Sequence, residues 1–252
     1  MGVRRALVSR FELRETMQSS LRQLLERIWG RFIVFDGPDG AGKSSQHRRI
    51  EEALRHLHID FVSCRDPGGT AIGDRIRSLL LDYDLTDMDV NCETMLFMAS
   101  RAQLVAEVIR PALAAKKTVL CDRFVTSTCA YQGAAGYDPR RVIELARFAL
   151  GDFWPDATVI LDVDPEVGFA RIGRTSRHAG KNRKTHESAP LFGGAEPADA
   201  MEARSLDFHR RVRAIFQEVA AYYPTPVALV DASGEEEVVF RRIVEELNRV
   251  LV

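Results

Sequence analysis

Residues 32–45 read FIVFDGPDGAGKSS, in which an apolar run leads into a glycine-rich loop and then into a polar segment. The run Phe32–Phe35 has the β-branched and aromatic composition of a buried strand. The loop Gly37–Ser44 satisfies the pattern G-x-x-x-x-G-K-[ST], and the residues after it favour a helix. A strand, such a loop and a helix in this order predict a phosphate-binding site, because backbone N–H groups and the positive helix N-terminus face the loop.

This phosphate loop predicts a site for ATP and Mg²⁺. Lys43 is expected to reach the β- and γ-phosphates and to act as a catalytic cation, and the Ser44 hydroxyl is expected to hold the metal. The plain alternative is a glycine turn that binds nothing. The predicted ATP-binding residues are Gly37, Pro38, Asp39, Gly40, Ala41, Gly42, Lys43, Ser44 and Ser45.

The rest of the chain alternates short apolar runs with segments of helical composition, which favours a parallel sheet covered on both faces. We therefore predict a doubly wound α/β fold with five parallel strands and helices on both faces. Pro111 is expected to kink or interrupt the helix 91–115. The predicted strands are Phe32–Phe35, Phe61–Cys64, Thr118–Cys121, Ala157–Val163 and Pro226–Val230, and the helical segments are 43–57, 71–81, 91–115, 139–150 and 234–251.

Composition narrows the functional classes. The chain has 252 residues, 46% of them hydrophobic, with 35 basic and 36 acidic residues, so it can bury one sizeable core and has no excess charge for coating nucleic acid. No apolar run approaches the roughly 18 residues of a membrane span. The four scattered cysteines predict free thiols in a reducing cytosol. We expect a cytoplasmic protein with no nucleic-acid or membrane partner.

Two segments lie outside this alternation. Residues 1–30 are Arg-rich, with Leu21, Leu24, Leu25 and Ile28 on one helical face; we interpret them as an N-terminal extension outside a core domain of 31–252, with a short docking helix as the alternative. Deleting 1–29 is then expected to change activity and stability little. Between residues 173 and 199, Gly, Ser, Pro and Ala replace the apolar periodicity, which predicts a lid at about 171–202.

The third strand ends in Asp122-Arg123. The carboxyl ends of the strands are where open α/β sheets bind ligands, so Asp122 is expected to help hold the metal and Arg123 to contact a phosphate. Without the phosphate loop, an exposed ion pair would be the simpler interpretation. Phosphoryl transfer depends on positioning and charge neutralisation, so a metal and arginines suit it better than a nucleophilic side chain.

Several ordered motifs are similar to those of the thymidylate kinase family. Besides the phosphate loop, residues 65–70 (RDPGGT), 122–124 (DRF), 130–133 (AYQG), 161–166 (LDVDPE) and 206–208 (LDF) resemble segments of that family. The resemblance covers about 31–251. Residues 199–202 (DAME) lack the arginine usual before the LDF segment, and the lid is longer than usual.

The resemblance implies an enzyme that phosphorylates dTMP to dTDP with ATP and Mg²⁺, and a homodimer. In the implied acceptor site, Asp39 holds the sugar 3′-hydroxyl, Arg65 and Arg123 hold the 5′-phosphate, and Tyr131 packs under the deoxyribose. Phe97 and Tyr131 could instead be core residues. The implied dTMP-binding residues are Asp39, Arg65, Phe97 (stacked on thymine), Arg101 (donor to a base carbonyl), Arg123, Thr128 and Gln132 (on the remaining base edge) and Tyr131.

The lid is expected to supply a catalytic arginine. Members of the family carry either an arginine inside the phosphate loop or a glycine there with basic residues in the lid, and this chain has Gly40. Residues 171–184 hold six basic and no acidic side chains. We therefore expect Arg171 or Arg174 to act on the transferred phosphoryl group, the alternative being a solvated basic loop.

Other activities remain open from sequence. A kinase for another nucleoside monophosphate or for a deoxynucleoside would share these motifs, and so would a catalytically silent nucleotide-binding module. A regulatory switch that binds GTP would need an N-K-x-D segment to read guanine. The nearest string is KNRK at 181–184, which does not match.

Overall fold

The sheet is parallel throughout and has five strands. The computed structural model describes residues 17–81, 88–173 and 204–251. Within these ranges the strand order is β2-β3-β1-β4-β5, and the first strand in sequence lies in the centre. The strands are β1 (Phe32–Asp36), β2 (Phe61–Arg65), β3 (Thr118–Asp122), β4 (Ala157–Asp162) and β5 (Val227–Asp231).

The helices cover both faces of this sheet. Residues 17–28 form α1. The others are α2 (Lys43–His56), α3 (Ala71–Leu80), α4 (Val90–Leu104), α5 (Arg110–Ala114), α6 (Val125–Ala134), α7 (Pro139–Leu150), α8 (Pro165–Arg171), α9 (Leu206–Val219) and α10 (Glu236–Val250). The predicted doubly wound α/β fold is therefore confirmed.

Strand β1 shows why the sheet has a core on each face. Phe32 and Val34 point into one cluster of buried side chains, which includes residues of α4, α6, α7 and α9. Ile33 and Phe35 point into the other, with residues of α1, α2 and α10. Because successive side chains of a strand face opposite sides, a central strand buried on both faces reads as an uninterrupted apolar run.

The parallel register brings the chemically active residues to one edge of the sheet. Asp122, at the end of β3, pairs with Phe35 of β1 on one side and with Arg65 of β2 on the other. The phosphate loop leaves the same edge directly after β1. This is the carboxyl edge of the strands, where open α/β sheets place their ligand site.

The predicted helix 91–115 is interrupted before Pro111. Residues Val105–Ile109 form a π-helical turn between α4 and α5, and the N–H of Arg110 donates to the carbonyl of Val105, five residues earlier. Pro111 then lies in the first turn of α5. Since proline has no N–H to donate, the interruption falls where an ordinary helical bond would be missing.

Helix α1 is a correction to the sequence-based interpretation. Leu24 and Ile28 are fully buried, Leu25 nearly so, and all three belong to the cluster that contains Ile33 and Phe35 of the central strand. The Asn248 side-chain amide of α10 also donates to the Ser20 carbonyl at 2.9 Å. The interpretation of 1–30 as lying outside the core is therefore wrong for α1, which is the docking helix given as the alternative, and deleting 1–29 is expected to lower stability.

Replacing Leu24 with Ala is expected to destabilise the protein by about 2–5 kcal/mol, because it removes a buried side chain and leaves a cavity against the sheet. Chemical denaturation of the purified variant measures the change. Gln23→Ala is the matched control, since Gln23 is exposed on the same turn of α1. Equal stabilities for the two variants would contradict the packing of α1 on the core.

No helix in the described part of the chain is long and apolar enough to cross a membrane. Most of the predicted lid, including Arg174, lies outside the described residues.

Candidate functional site

The phosphate loop passes so close to its neighbours that two of its glycines admit no side chain. A Cβ at Gly37, where φ is 133°, would lie 2.5 Å from the Leu161 carbonyl oxygen of β4. A Cβ at Gly40, where φ is 72°, would lie 2.1 Å from the Gly168 carbonyl oxygen of α8. An arginine at position 40 is therefore incompatible with this packing.

Lys43 begins α2 and folds back across the phosphate loop. Its Nζ donates to the carbonyl oxygens of Gly37 at 2.9 Å and Pro38 at 2.8 Å. The side chain is buried, and this burial together with the nearby Arg123 lowers the pKa of Lys43 to about 8. A phosphate group bound in the loop would favour the charged amine again, because opposite charges within a few ångströms stabilise each other.

The low pKa of Lys43 predicts a change of stability with pH. The folded protein loses this proton at a pH of about 8, below the ordinary lysine value of 10.5. The cost of burying the charge is therefore present below pH 8 and is relieved as the pH rises toward 10.5. Relative to Lys43→Met, the substrate-free protein should gain up to about 3 kcal/mol over that range. Denaturation curves at several pH values measure it, and a difference that stays flat or falls would contradict it.

Ser44 and Asp122 provide oxygen ligands for a metal on the open side of the loop. They line one groove together with Arg65, and Asp122 Oδ1 is buried with no hydrogen-bond partner among the described residues. Hydroxyl and carboxylate oxygens suit Mg²⁺, which is bound in such sites by one or two protein ligands plus phosphates and water. The described residues contain no cluster of three or more His, Cys, Asp or Glu that could hold a metal alone. The residues present therefore fit Mg²⁺ bound together with a nucleotide.

Asp39 is the centre of a second set of contacts, on the other side of the loop. Arg123 donates to its Oδ1 at 2.5 Å, and the Tyr131 hydroxyl donates to its Oδ2 at 2.9 Å. Burial would raise the pKa of Asp39, but Arg123, Lys43 and Tyr131 together lower it, so the group is a carboxylate. Its remaining lone pairs give this position a capacity to accept hydrogen bonds from a ligand hydroxyl.

Arg123 is held in an unusual backbone conformation. Its φ is 69°, a left-handed value that costs free energy in a residue with a side chain. The guanidinium is fixed by contacts to Asp39, to the Gly37 carbonyl at 3.3 Å and to Ser127 Oγ at 3.1 Å. Ser127 is held in turn by buried Asp36, at 2.6 Å. This backbone strain and these fixed contacts direct the cation toward the loop.

Arg101 is the largest fully buried side chain, and it carries a charge. Its Nε donates to Asp66 Oδ2 at 2.5 Å, and its Nη2 donates to the Phe124 carbonyl at 3.1 Å and to Thr128 Oγ1 at 2.9 Å. Nη1 contacts only the weak acceptor Met98 Sδ, at 3.6 Å, in the described structure. Burial raises the pKa of Asp66, although Arg101 opposes the shift. Arg101 thus keeps a donor for a ligand carbonyl.

These groups line one pocket, which we call the acceptor cavity. It brings together seven of the eight predicted acceptor residues. Arg65 is the exception, because it lines the metal-side groove instead. The lining residues are Asp39, Asp66, Pro67, Arg77, Leu81, Phe97, Arg101, Arg123, Ser127, Thr128, Tyr131 and Gln132.

Arg77 is a cavity residue that the motifs did not single out. It lies on α3, and its Nη1 donates to the Pro67 carbonyl at 3.1 Å. Helical spacing holds the signal that could have identified it. Arg77 follows Gly73 by four residues, and Gly73 N–H donates to the N-cap Thr70, so Arg77 lies on the face of α3 next to the 65–70 loop. With Arg123, it gives the cavity two cations besides buried Arg101.

Of the two predicted lid arginines, Arg171 lies within the described residues and Arg174 does not. Arg171 ends α8 and donates from Nη1 to the Ala232 carbonyl and from Nη2 to the Gly234 carbonyl, each at 3.1 Å. A direct role in catalysis would require it to leave both carbonyls.

The chain is similar in sequence and in fold to known proteins. The family model for thymidylate kinase matches residues 35–243. A thymidylate kinase of Solidesulfovibrio magneticus is 38% identical over 221 residues, covering 87% of this chain and 100% of the relative. One from Roseiflexus castenholzii is 39% identical over 216 residues, covering 84% and 90%. A crystal structure of thymidylate kinase from Ehrlichia chaffeensis superposes with a TM-score of 0.63 at 28% identity, covering 86% of this chain and 98% of that one.

Proposed function

The chain belongs to the thymidylate kinase family, and we propose that it transfers the γ-phosphoryl group of ATP to dTMP with the residues that converge on the phosphate loop. One observation carries the proposal. Asp39 belongs both to the phosphate loop and to the lining of the acceptor cavity, and Arg123 donates to Asp39 and to the Gly37 carbonyl of the loop. A donor held in the loop and an acceptor held in the cavity would therefore meet with their phosphates on either side of this pair.

On the donor side, the proposed role of the residues is to neutralise the charge of the ATP phosphates. Lys43 is directed across the loop and would contact the β- and γ-phosphates once they replace its two carbonyl partners. Ser44 and Asp122 would hold a magnesium ion, which would supply positive charge to offset the negative charge that develops during transfer. The unpartnered Oδ1 of Asp122 supports this assignment.

On the acceptor side, the proposed role of the residues is to orient dTMP. Arg123 and Arg77 would bind the 5′-phosphate; the cavity lining supports Arg77 for this role over the predicted Arg65. Arg101 would donate from Nη1 to a carbonyl of the base, and Phe97 lies one turn earlier on α4 to stack on the ring. The Asp39 carboxylate, fixed by Tyr131, would accept from the sugar hydroxyl. Holding two phosphates in line supplies most of the catalysis in such reactions.

Production of ADP in the presence of each candidate acceptor tests the proposal. The panel contains dTMP, dUMP, dCMP, dGMP, dAMP and UMP at fixed ATP and magnesium. We expect dTMP to give the highest kcat/KM, dUMP to follow within about 10–200-fold because one methyl group contributes only about 1–3 kcal/mol, and the others to be slower. A different best acceptor, or ADP formation that no acceptor stimulates, would refute the assignment.

Homodimer formation and a cytoplasmic location complete the proposal. Large apolar side chains are exposed on α3, α4 and α7, among them Ile72, Leu79, Met95 and Phe148, the last with 89% of its surface accessible. A second copy of the chain is the proposed partner, since an interface on these helices would remove their apolar side chains from water. Sedimentation should give about twice the chain mass of 28.3 kDa. The cysteines of the described structure are free thiols, which supports a reducing compartment.

A further inference from the structure

Helices α4 and α6 face each other across the acceptor cavity through two polar contacts. In one, Arg101 of α4 donates to Thr128 of α6 at 2.9 Å. In the other, Gln132 Nε2 of α6 donates to Glu93 Oε2 of α4 at 3.2 Å. The residues are spaced at i and i+8 on α4 and at i and i+4 on α6, so each pair lies on one face of its helix. Phe97 lies on α4 between Glu93 and Arg101.

Glu93 is a buried carboxylate that none of the sequence motifs singled out. It is 7% exposed, and burial raises its pKa even though Gln132 and Arg204 oppose the shift. Arg204 reaches its other oxygen, Oε1, at 3.6 Å. Burying a carboxylate costs free energy unless partners offset that cost. A neutral side chain would avoid the cost, so a buried glutamate here indicates a role that requires a carboxylate.

The contact to Glu93 determines which end of the Gln132 amide faces the cavity. An ionised carboxylate only accepts hydrogen bonds, so it must face the amide nitrogen and not the amide oxygen. The oxygen Oε1 is left over: it is buried, has no hydrogen-bond partner among the described residues, and belongs to a side chain that lines the cavity. A base bound against these side chains would therefore meet a donor at Arg101 and an acceptor at Gln132.

This pairing of donor and acceptor matches one class of pyrimidine. A 4-oxo pyrimidine such as thymine or uracil has an acceptor at O4 next to a donor at N3–H. Cytosine reverses both, with a donor at its 4-amino group and an acceptor at N3. We propose, resting on the proposed function, that Glu93 is a positioning residue which holds Gln132 Oε1 toward N3–H and so makes the enzyme reject dCMP.

The test compares two selectivity ratios in the parent and in Glu93→Gln. An amide at position 93 both donates and accepts, so Gln132 is free to turn either end toward the cavity. We expect the ratio of kcat/KM for dTMP over dCMP to fall about tenfold or more, which is a loss of about 1.4 kcal/mol of discrimination. The ratio for dTMP over dUMP should change less than about twofold. Thymine and uracil present the same O4 and N3–H to the Gln132 amide and differ only in the methyl group. A loss of both ratios together, or of neither, would overturn the proposal.

Two controls separate this role from a structural one. Glu107→Gln breaks the same kind of contact, since Gln103 Nε2 donates to Glu107 Oε2 at 2.8 Å, but it lies exposed outside the cavity lining and should leave both ratios unchanged. In a Gln132→Met background, Glu93→Gln should have no further effect on the dTMP-to-dCMP ratio. A full additional effect there would show that Glu93 does not act through Gln132.

A measurement on the unaltered protein keeps the proposal falsifiable if Glu93→Gln fails to fold. The 5′-monophosphate of 3-methylthymidine has no N3–H, and its binding is compared with that of dTMP by calorimetry. We expect its affinity to be at least about tenfold lower. Equal affinity would overturn the role of Gln132 Oε1. If the parent does not phosphorylate dTMP at all, the proposed function fails instead.

Discussion

Replacing Lys43 with Ala is expected to lower kcat by at least about 10³-fold while the protein stays folded and still binds dTMP. The Nζ of Lys43 donates to two backbone carbonyls, both in the phosphate loop, so its removal breaks no side-chain ion pair among the described residues. What is lost is the cation directed at the phosphates. Steady-state rates at saturating ATP and magnesium measure the change.

Arg55→Ala is the matched control for this prediction. Arg55 lies in the last turn of α2, the helix that Lys43 begins, and its exposed guanidinium pairs with the partly buried Glu51. Its kcat should stay within about twofold of the parent, because exposed ion pairs contribute little. Near-normal turnover in folded Lys43→Ala would refute the proposed role of the loop.

Replacing Arg101 with Met is expected to cost about 3–5 kcal/mol of stability and most of the affinity for dTMP. The substitution would leave Asp66, which is 2% exposed, as a buried carboxylate without its main cation. Adding Asp66→Asn should recover a large part of the stability, since it removes the unpaired charge, but it should not recover the affinity. Denaturation curves and dTMP titrations separate the two effects.

The exposed pair Arg249–Glu246 provides the comparison. Arg249→Met breaks an arginine–carboxylate contact of 2.5 Å on α10, far from the cavity in sequence and open to solvent. Its stability and dTMP affinity should stay close to those of the parent. If Arg101→Met were equally mild, the Arg101–Asp66 pair would not hold the acceptor cavity together.

Strands could be predicted from sequence more reliably than helices in this chain. Each of the five predicted strands lies within one residue of the observed one at either end. The central strands β1, β3 and β4 are buried on both faces and are therefore apolar at nearly every position, whereas the edge strands β2 and β5 are partly exposed. Helix α6 gave no comparable signal. It is buried on nearly all sides and contains β-branched Val125, Thr126 and Thr128, so neither an amphipathic stripe nor its composition marked it as helical.

The N-terminal helix shows a different limit. The apolar face formed by Leu21, Leu24, Leu25 and Ile28 is visible in the sequence, but a helical stripe does not say what it packs against. Its partners lie on the central strand and on α10, more than 200 residues away for the latter. A resemblance that begins at residue 31 could not supply that contact.

Within the site, sequence could predict what is local. Lys43, Ser44 and Asp39 follow from the loop pattern, and the spacing of Phe97 and Arg101 places them on one helix face. Residues defined by long-range contacts were missed: Arg77 enters the cavity through the packing of α3, and Glu93 is identified only by Gln132, 39 positions later. The motif also selected Arg65, whereas the cavity is lined by Arg77.

The central claim is that one phosphoryl group passes from ATP to dTMP between the phosphate loop and the acceptor cavity. Incubation with ATP labelled with ³²P in the γ-position, magnesium and dTMP, followed by separation of the nucleotides, tests it most directly. We predict that the label appears in dTDP in amounts equal to the ADP formed, and that Lys43→Ala forms almost none. Label that is released only as inorganic phosphate, or that stays in ATP, would contradict the account.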